Sequence, residues 1–128
     1  MSIRTFVMVG LLATYSLPAF ADREAGREVF RTHCVGCHSI QCNRNGPKLG
    51  GLLGRPAGTV PDFDGYSRAM KESGIVWDKD ILNAYLTDPA SVVSGNAMAS
   101  FGKIADKIAR ANLIDFVVQP DNSLDLCF

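Results

Sequence analysis

Between Gly46 and Phe63 the chain carries Gly46-Pro47, Gly50-Gly51, Gly54, Pro56, Gly58 and Pro61, more breakers than a helix or a strand tolerates. That stretch is predicted to run as extended loop. A loop of about eighteen residues is long for a small domain, because it uses chain without offering a repeating apolar face to a core. Packing then falls to the remaining segments, and a domain of this size buries only a modest fraction of its surface. Side chains alone predict a thin core, so something else has to fill it.

Helical signals surround the loop. From Arg23 to Thr32, Ala25, Gly26, Val29 and Phe30 share one face, with Arg23, Arg27 and Arg31 pointing elsewhere. Ser67 is placed to cap a helix through Glu72 that stops at Gly74. Asp78 is placed to cap the next, with Trp77 and Leu82 at hydrophobic-staple spacing, and Pro89 ends it. Its inward face is predicted as Ile81, Leu82, Tyr85 and Leu86. The segment Ser91 to Phe101 reads as irregular. A last helix over Asp106 to Val118, stopped by Pro120, offers Ile108, Ala111, Leu113, Phe116 and Val117. The predicted fold class is all-α with long loops.

At the amino terminus Arg4 precedes an apolar run from Phe6 to Ala13, and the sequence then reads Pro18-Ala19-Phe20-Ala21. A positive residue, a short apolar stretch and an Ala-x-Ala site in that order predict a signal peptide over residues 1–21, cleaved after Ala21. The run is short for a bilayer of ~30 Å, so no stable membrane insertion is expected after cleavage. Residues 22–128 contain no repeat, low-complexity tract or linker and are expected to form one periplasmic domain. The whole chain has 13 basic and 13 acidic side chains, and losing Arg4 leaves one acid in excess. This balance excludes a basic nucleic-acid binder.

Cys34-Val35-Gly36-Cys37-His38 reads C-x-x-C-H, the attachment signature of a c-type haem. Two thiols at that spacing can add to the two vinyl groups on one edge of a porphyrin, which leaves the adjacent imidazole beneath the iron. Two other readings compete. One is a disulfide or thiol-redox pair Cys34/Cys37, which lacks the βαβ order of a thioredoxin-like unit. The other is a zinc site from Cys34, Cys37, His38 and Cys42, strained because Cys37 and His38 are sequence neighbours. With His38 as one iron ligand, His33 is tied to the same side by Cys34. Met70 and Met98 are the thioethers left after signal cleavage. Met70 lies on a predicted helix, where a Met commonly fills core. Met98 lies in polar, irregular Gly95-Asn96-Ala97-Met98-Ala99-Ser100 and is the favoured sixth ligand.

Taken with these motifs, the chain resembles class I cytochrome c, close to the mitochondrial cytochrome c and bacterial cytochrome c2 group, over essentially all of residues 22–128. Gly26 and Phe30 match the family's amino-terminal helix; Leu113 and Phe116 match its carboxy-terminal partner. Gly46-Pro47-x-Leu49-x-Gly51-Leu52-x-Gly54-Arg55 matches the loop whose proline carbonyl accepts from the proximal imidazole, which assigns that role to Pro47. Tyr66, Trp77 and Arg55 match the residues at the haem propionates, and Tyr85 matches the tyrosine beside the methionine sulfur. Asn96 stands where the family usually has threonine, and Met70 where it often has asparagine. The segment Asp88-Pro89-Ala90-Ser91 lacks the lysines of mitochondrial forms.

The resemblance implies a small class I cytochrome c fold of three to five helices around one haem c, attached by two thioethers. It implies a monomeric, non-enzymatic one-electron carrier. Its partners would be donor and acceptor proteins such as a dehydrogenase, a cytochrome bc1-type complex or a terminal oxidase. Two rivals are a fixed haem subunit of a larger dehydrogenase or oxidase, and a small haem peroxidase. Cys42 and Cys127 are not used by the haem. In an oxidising compartment they are expected to pair, the alternatives being free thiols or an intermolecular bridge.

Overall fold

Side-chain caps start three of the helices in a computed structural model that describes residues 20–119 and Cys127. Ser67 accepts a hydrogen bond from the Met70 amide, Asp78 from the Ile81 amide and Asp106 from the Ala109 amide. Each cap satisfies an amide that the first helical turn otherwise leaves without a partner. Among the described residues there are five helices and no strand: α1 Phe20–His33, α2 Arg68–Lys71, α3 Lys79–Thr87, α4 Pro89–Val92 and α5 Lys107–Val118. The fold is all-α. The signal peptide expected over residues 1–21 lies outside the described residues, apart from the first two positions of α1. Among the described residues no helix is long and apolar enough to cross a membrane.

The ends of the chain meet where α1 crosses α5. At Gly26 a Cβ would sit 2.1 Å from the Asn112 carbonyl oxygen and 2.8 Å from Phe116 Cβ, so only glycine lets the backbones approach this closely. Phe30, one turn on, is wholly buried and its ring centroid lies 5.5 Å from that of Phe116. Leu113 fills the same seam at 1% exposure. Gly26→Ala has to separate two backbones, so we expect a loss at the upper end of the roughly 1–3 kcal/mol typical of overpacking. A thermal melt followed by circular dichroism would show this as a Tm lower by about 10 °C or more. An unchanged Tm would contradict the close crossing.

The structure corrects the sequence reading in four places. Ser91–Phe101 is not irregular throughout, because Pro89 both ends α3 and starts the single turn α4, its fixed φ being suited to a first helical position. Ile108 is 72% exposed and Ala111 is exposed, while Arg110 and Ile114 are buried in their place. The seam of α5 is thus rotated from the expected face. On α1, Ala25 faces solvent, and on α3, Ile81 is only half-buried while Leu82, Tyr85 and Leu86 are buried.

The long loop contains no regular element, as its glycines and prolines predict, yet it is pinned along its length. Arg55 donates to the Lys48 carbonyl at 2.9 Å and the Gly50 carbonyl at 2.8 Å. Backbone bonds from Gly54 to Trp77, Trp77 to Arg55 and Ala57 to Ile75 fasten it to the segment before α3. The loop forms one wall of a central cavity, with α1, α3 and α5 around it.

Candidate functional site

The cavity has a volume of about 350 Å³, inside the range of roughly 300–1,000 Å³ for small-molecule sites. All nine residues singled out from the sequence line it: Cys34, Cys37, His38, Pro47, Arg55, Tyr66, Trp77, Tyr85 and Met98. Met70, Leu113 and Val117 line it too.

One wall comes from the end of α1. The helix does not stop cleanly at His33 but winds on, with the Cys34 amide bonded to Phe30 and the His38 amide to Cys34. That winding presents Cys34, Cys37 and His38 in succession. Cys34 is buried and Cys37 exposed, and neither is in a disulfide. Burial, with a smaller contribution from Cys37, pushes the Cys34 thiol up to about 12. Among the described residues no three His, Cys, Asp or Glu side chains are grouped to hold a metal ion, so the zinc arrangement with Cys42 is not formed.

His38 Nδ1 lies 2.8 Å from the Pro47 carbonyl. A carbonyl only accepts, so Nδ1 carries the proton and the Nε2 lone pair is left for the cavity. Burial lowers the His38 pKa, partly offset by the Pro47 bond, which keeps the ring neutral. Gly46 closes over the ring, where a Cβ would come within 2.4 Å of Cε1 and 2.8 Å of Nε2. The sequence marked Gly46 as a breaker; its place against the imidazole is visible only in three dimensions.

Across the cavity, Met98 is half-buried and its loop is folded tightly, with the Phe101 and Gly102 amides both donating to its carbonyl at 3.0 Å. At Gly102 a Cβ would sit 2.7 Å from Met98 Cε, a second position where a side chain would displace the site. Tyr85 is buried and donates its hydroxyl proton to Asn96 Oδ1 at 2.9 Å, and burial raises its pKa to about 12. Trp77 packs edge-on to Tyr85, ring centroids 5.1 Å apart. Tyr66 accepts from the Val60 amide at 3.3 Å and stacks edge-on with Phe63. Phe101 stands at the mouth, 79% exposed.

These residues fit a haem. The walls offer two thiols side by side, a neutral imidazole with one free nitrogen, a thioether and an apolar interior closed by glycines. Cys42 and Cys127, 85 residues apart in sequence, lie with Cα atoms 5.3 Å apart, within the separation of about 4.4–6.8 Å that a disulfide requires.

The family model for cytochrome c matches residues 23–119. Cytochrome c2 of Blastochloris viridis is 36% identical over 117 residues, covering 89% of this chain and 90% of its own. Cytochrome c type-1 of Ascaris suum is 40% identical over 99 residues, covering 75% of this chain and 86% of its own. Among solved structures, cytochrome cH from Methylobacterium extorquens superposes with a TM-score of 0.69 at 35% identity, over 75% of this chain and 96% of that one.

Proposed function

The chain belongs to the cytochrome c family, a family of electron carriers with covalently attached haem c, and on that premise we propose that it is a periplasmic one-electron shuttle. In this reading residues 1–21 are a signal peptide cleaved after Ala21. Cys34 and Cys37 hold one haem c, His38 Nε2 and Met98 Sδ ligate its iron, and Arg55, Tyr66 and Trp77 lie at its propionate edge. Bound haem c supplies a one-electron couple. The chain's own contribution is to fix the ligands and exclude water.

The observation that carries the reading is the pairing of a tautomer-locked His38 with Met98 on one apolar cavity. The proximal ring cannot turn, because Pro47 holds one side and Gly46 backs the other. Leu52, Leu82, Leu86 and Leu113 line the interior and keep it dry. Ferric-state absorption tests the assignment. A weak far-red sulfur-to-iron band is the expected result, whereas a high-spin spectrum would favour the peroxidase. Copurification with a dehydrogenase or oxidase would favour the fixed subunit.

Partner docking is expected to be weakly steered by charge. The mature chain is nearly neutral, and Lys103, near the mouth, is matched at 3.1 Å by Asp88. Stopped-flow reduction by the native partner should slow by less than about tenfold from low to high salt. A fall of several decades would contradict it.

Cys42 and Cys127 are assigned as a disulfide on their 5.3 Å Cα separation. Mass spectrometry of unreduced, proteolysed holoprotein is expected to recover the crosslinked peptides, and alkylation of both thiols would refute it. Closing a loop across a sequence separation of 85 residues adds up to about 4.6 kcal/mol. The attached haem already shortens the loop, so reduction should cost less than that.

A further inference from the structure

Asn96 is 6% exposed, and its side chain makes four hydrogen bonds, all within the protein. Its Oδ1 accepts from the Tyr85 hydroxyl at 2.9 Å and from the Met98 amide at 2.8 Å. Its Nδ2 donates to the carbonyls of Pro89 at 3.0 Å and Val93 at 2.6 Å. A side-chain amide has two acceptor sites and two donor hydrogens, so its capacity is fully used. The orientation is also fixed. Turning the amide over would set its NH2 against the Met98 amide and its oxygen against two carbonyls.

These bonds join α3, both ends of α4 and the backbone of Met98 at one point. They also commit the single Tyr85 proton. A tyrosine hydroxyl donates once, and here it donates to Asn96, so it has none to give to a thioether sulfur. A hydroxyl-bearing residue in place of Asn96 has one donor and cannot serve both carbonyls, so one of them keeps only its backbone donor, the Val93 amide for Pro89 or the residue-96 amide for Val93, and one tie between the Met98 loop and α4 is lost.

We propose that Asn96 is a positioning residue for Met98, holding its backbone against α3 and α4 and drawing the Tyr85 proton away from the sulfur. This rests on the reading of Met98 as an iron ligand. Loss of Asn96 then shows as easier displacement of the thioether, while loss of the Tyr85 hydroxyl, one bond of four, shows less.

The test is titration of the ferric holoproteins with imidazole, which competes with the thioether, together with the far-red sulfur-to-iron band. Asn96→Thr is expected to bind imidazole about tenfold more tightly than the parent, equivalent to about 1.4 kcal/mol. Tyr85 lines the same cavity, but Tyr85→Phe leaves Asn96 three of its four side-chain bonds, so it is expected to retain the band and to gain less imidazole affinity than Asn96→Thr. If Asn96→Thr yields no folded holoprotein, Asn96→Asp keeps both acceptor bonds, loses both donor bonds, and is expected to bind imidazole at least about threefold more tightly. A role in fold stability alone would lower the melting temperature and leave imidazole affinity unmoved. Parent-like affinity in Asn96→Thr, or in Asn96→Asp where that is the variant used, would overturn the proposal. So would loss of the band in Tyr85→Phe. A parent without the band overturns the Met98 assignment and this proposal together. A parent with the band and unresponsive variants overturns this proposal alone.

Discussion

A Cys34→Ala, Cys37→Ala double variant is expected to lose both its haem and its cooperative fold. The cavity these residues border measures about 350 Å³; it lies between α1, α3, α5 and the long loop and opens to solvent beside Phe101 and Cys37. At about 24 cal/mol per Å³ of residual cavity, leaving that volume without its apolar filling costs at most about 8 kcal/mol, comparable to the total stability of about 5–15 kcal/mol of an ordinary domain. Partial collapse would recover some of this, but the walls that could move inward are already locked, the helices at Gly26 and the long loop at Arg55. His38→Ala is expected to fail in the same direction, because it removes the ring that Gly46 and Pro47 enclose. Far-UV circular dichroism and thermal melting decide the matter. Native helicity with a cooperative transition in the double variant would sink the argument.

Met98→Ala is expected to abolish the sulfur-to-iron band and lower the reduction potential, while Met70→Ala keeps the band. Both side chains line the cavity, so the discrimination rests on how each is held. Met98 sits on a loop whose amide bonds Asn96 and whose carbonyl receives two amides, an anchored arm that presents a thioether. Met70 is 9% exposed within α2, directly behind the Ser67 cap, and packs as core. Truncating Met70 should therefore cost roughly 2–5 kcal/mol of stability through the cavity it leaves. A methionine ligand favours ferrous iron, so its loss drops the potential. Loss of the band in Met70→Ala with retention in Met98→Ala would reverse the assignment.

What could be read from the sequence was what neighbours in the chain decide. Ser67 and Asp78 cap helices through amides three positions ahead, so their chemistry is legible one turn at a time. Cys34, Cys37 and His38 declare themselves by spacing. The phase of α5 was not legible, because a hydropathy pattern places Arg110 outside. Its guanidinium is nonetheless buried, bonded to the Ile104 and Ala105 carbonyls and to Asn83. The two carbonyls belong to the stretch leading into α5, but Asn83 lies on α3, which only the fold brings near. Asn96 was visible as a departure from the family's threonine, but its four partners are scattered over α3, α4 and the Met98 loop. Gly46 reads in sequence as an ordinary breaker, and its missing Cβ, like that of Gly102, acquires meaning only against His38 and Met98 in the fold.

The crossing of α1 and α5 also orders events in time. Phe30 has its packing partners at Leu113 and Phe116, so a chain synthesised from its amino terminus cannot complete its first helix pair until the last helix arrives. Non-local pairing of this kind delays folding. During that interval Cys34, buried in the finished molecule, is still open to whatever machinery attaches a prosthetic group. The late arrival of α5 thus leaves a window for modification that closes by itself once α5 packs onto α1.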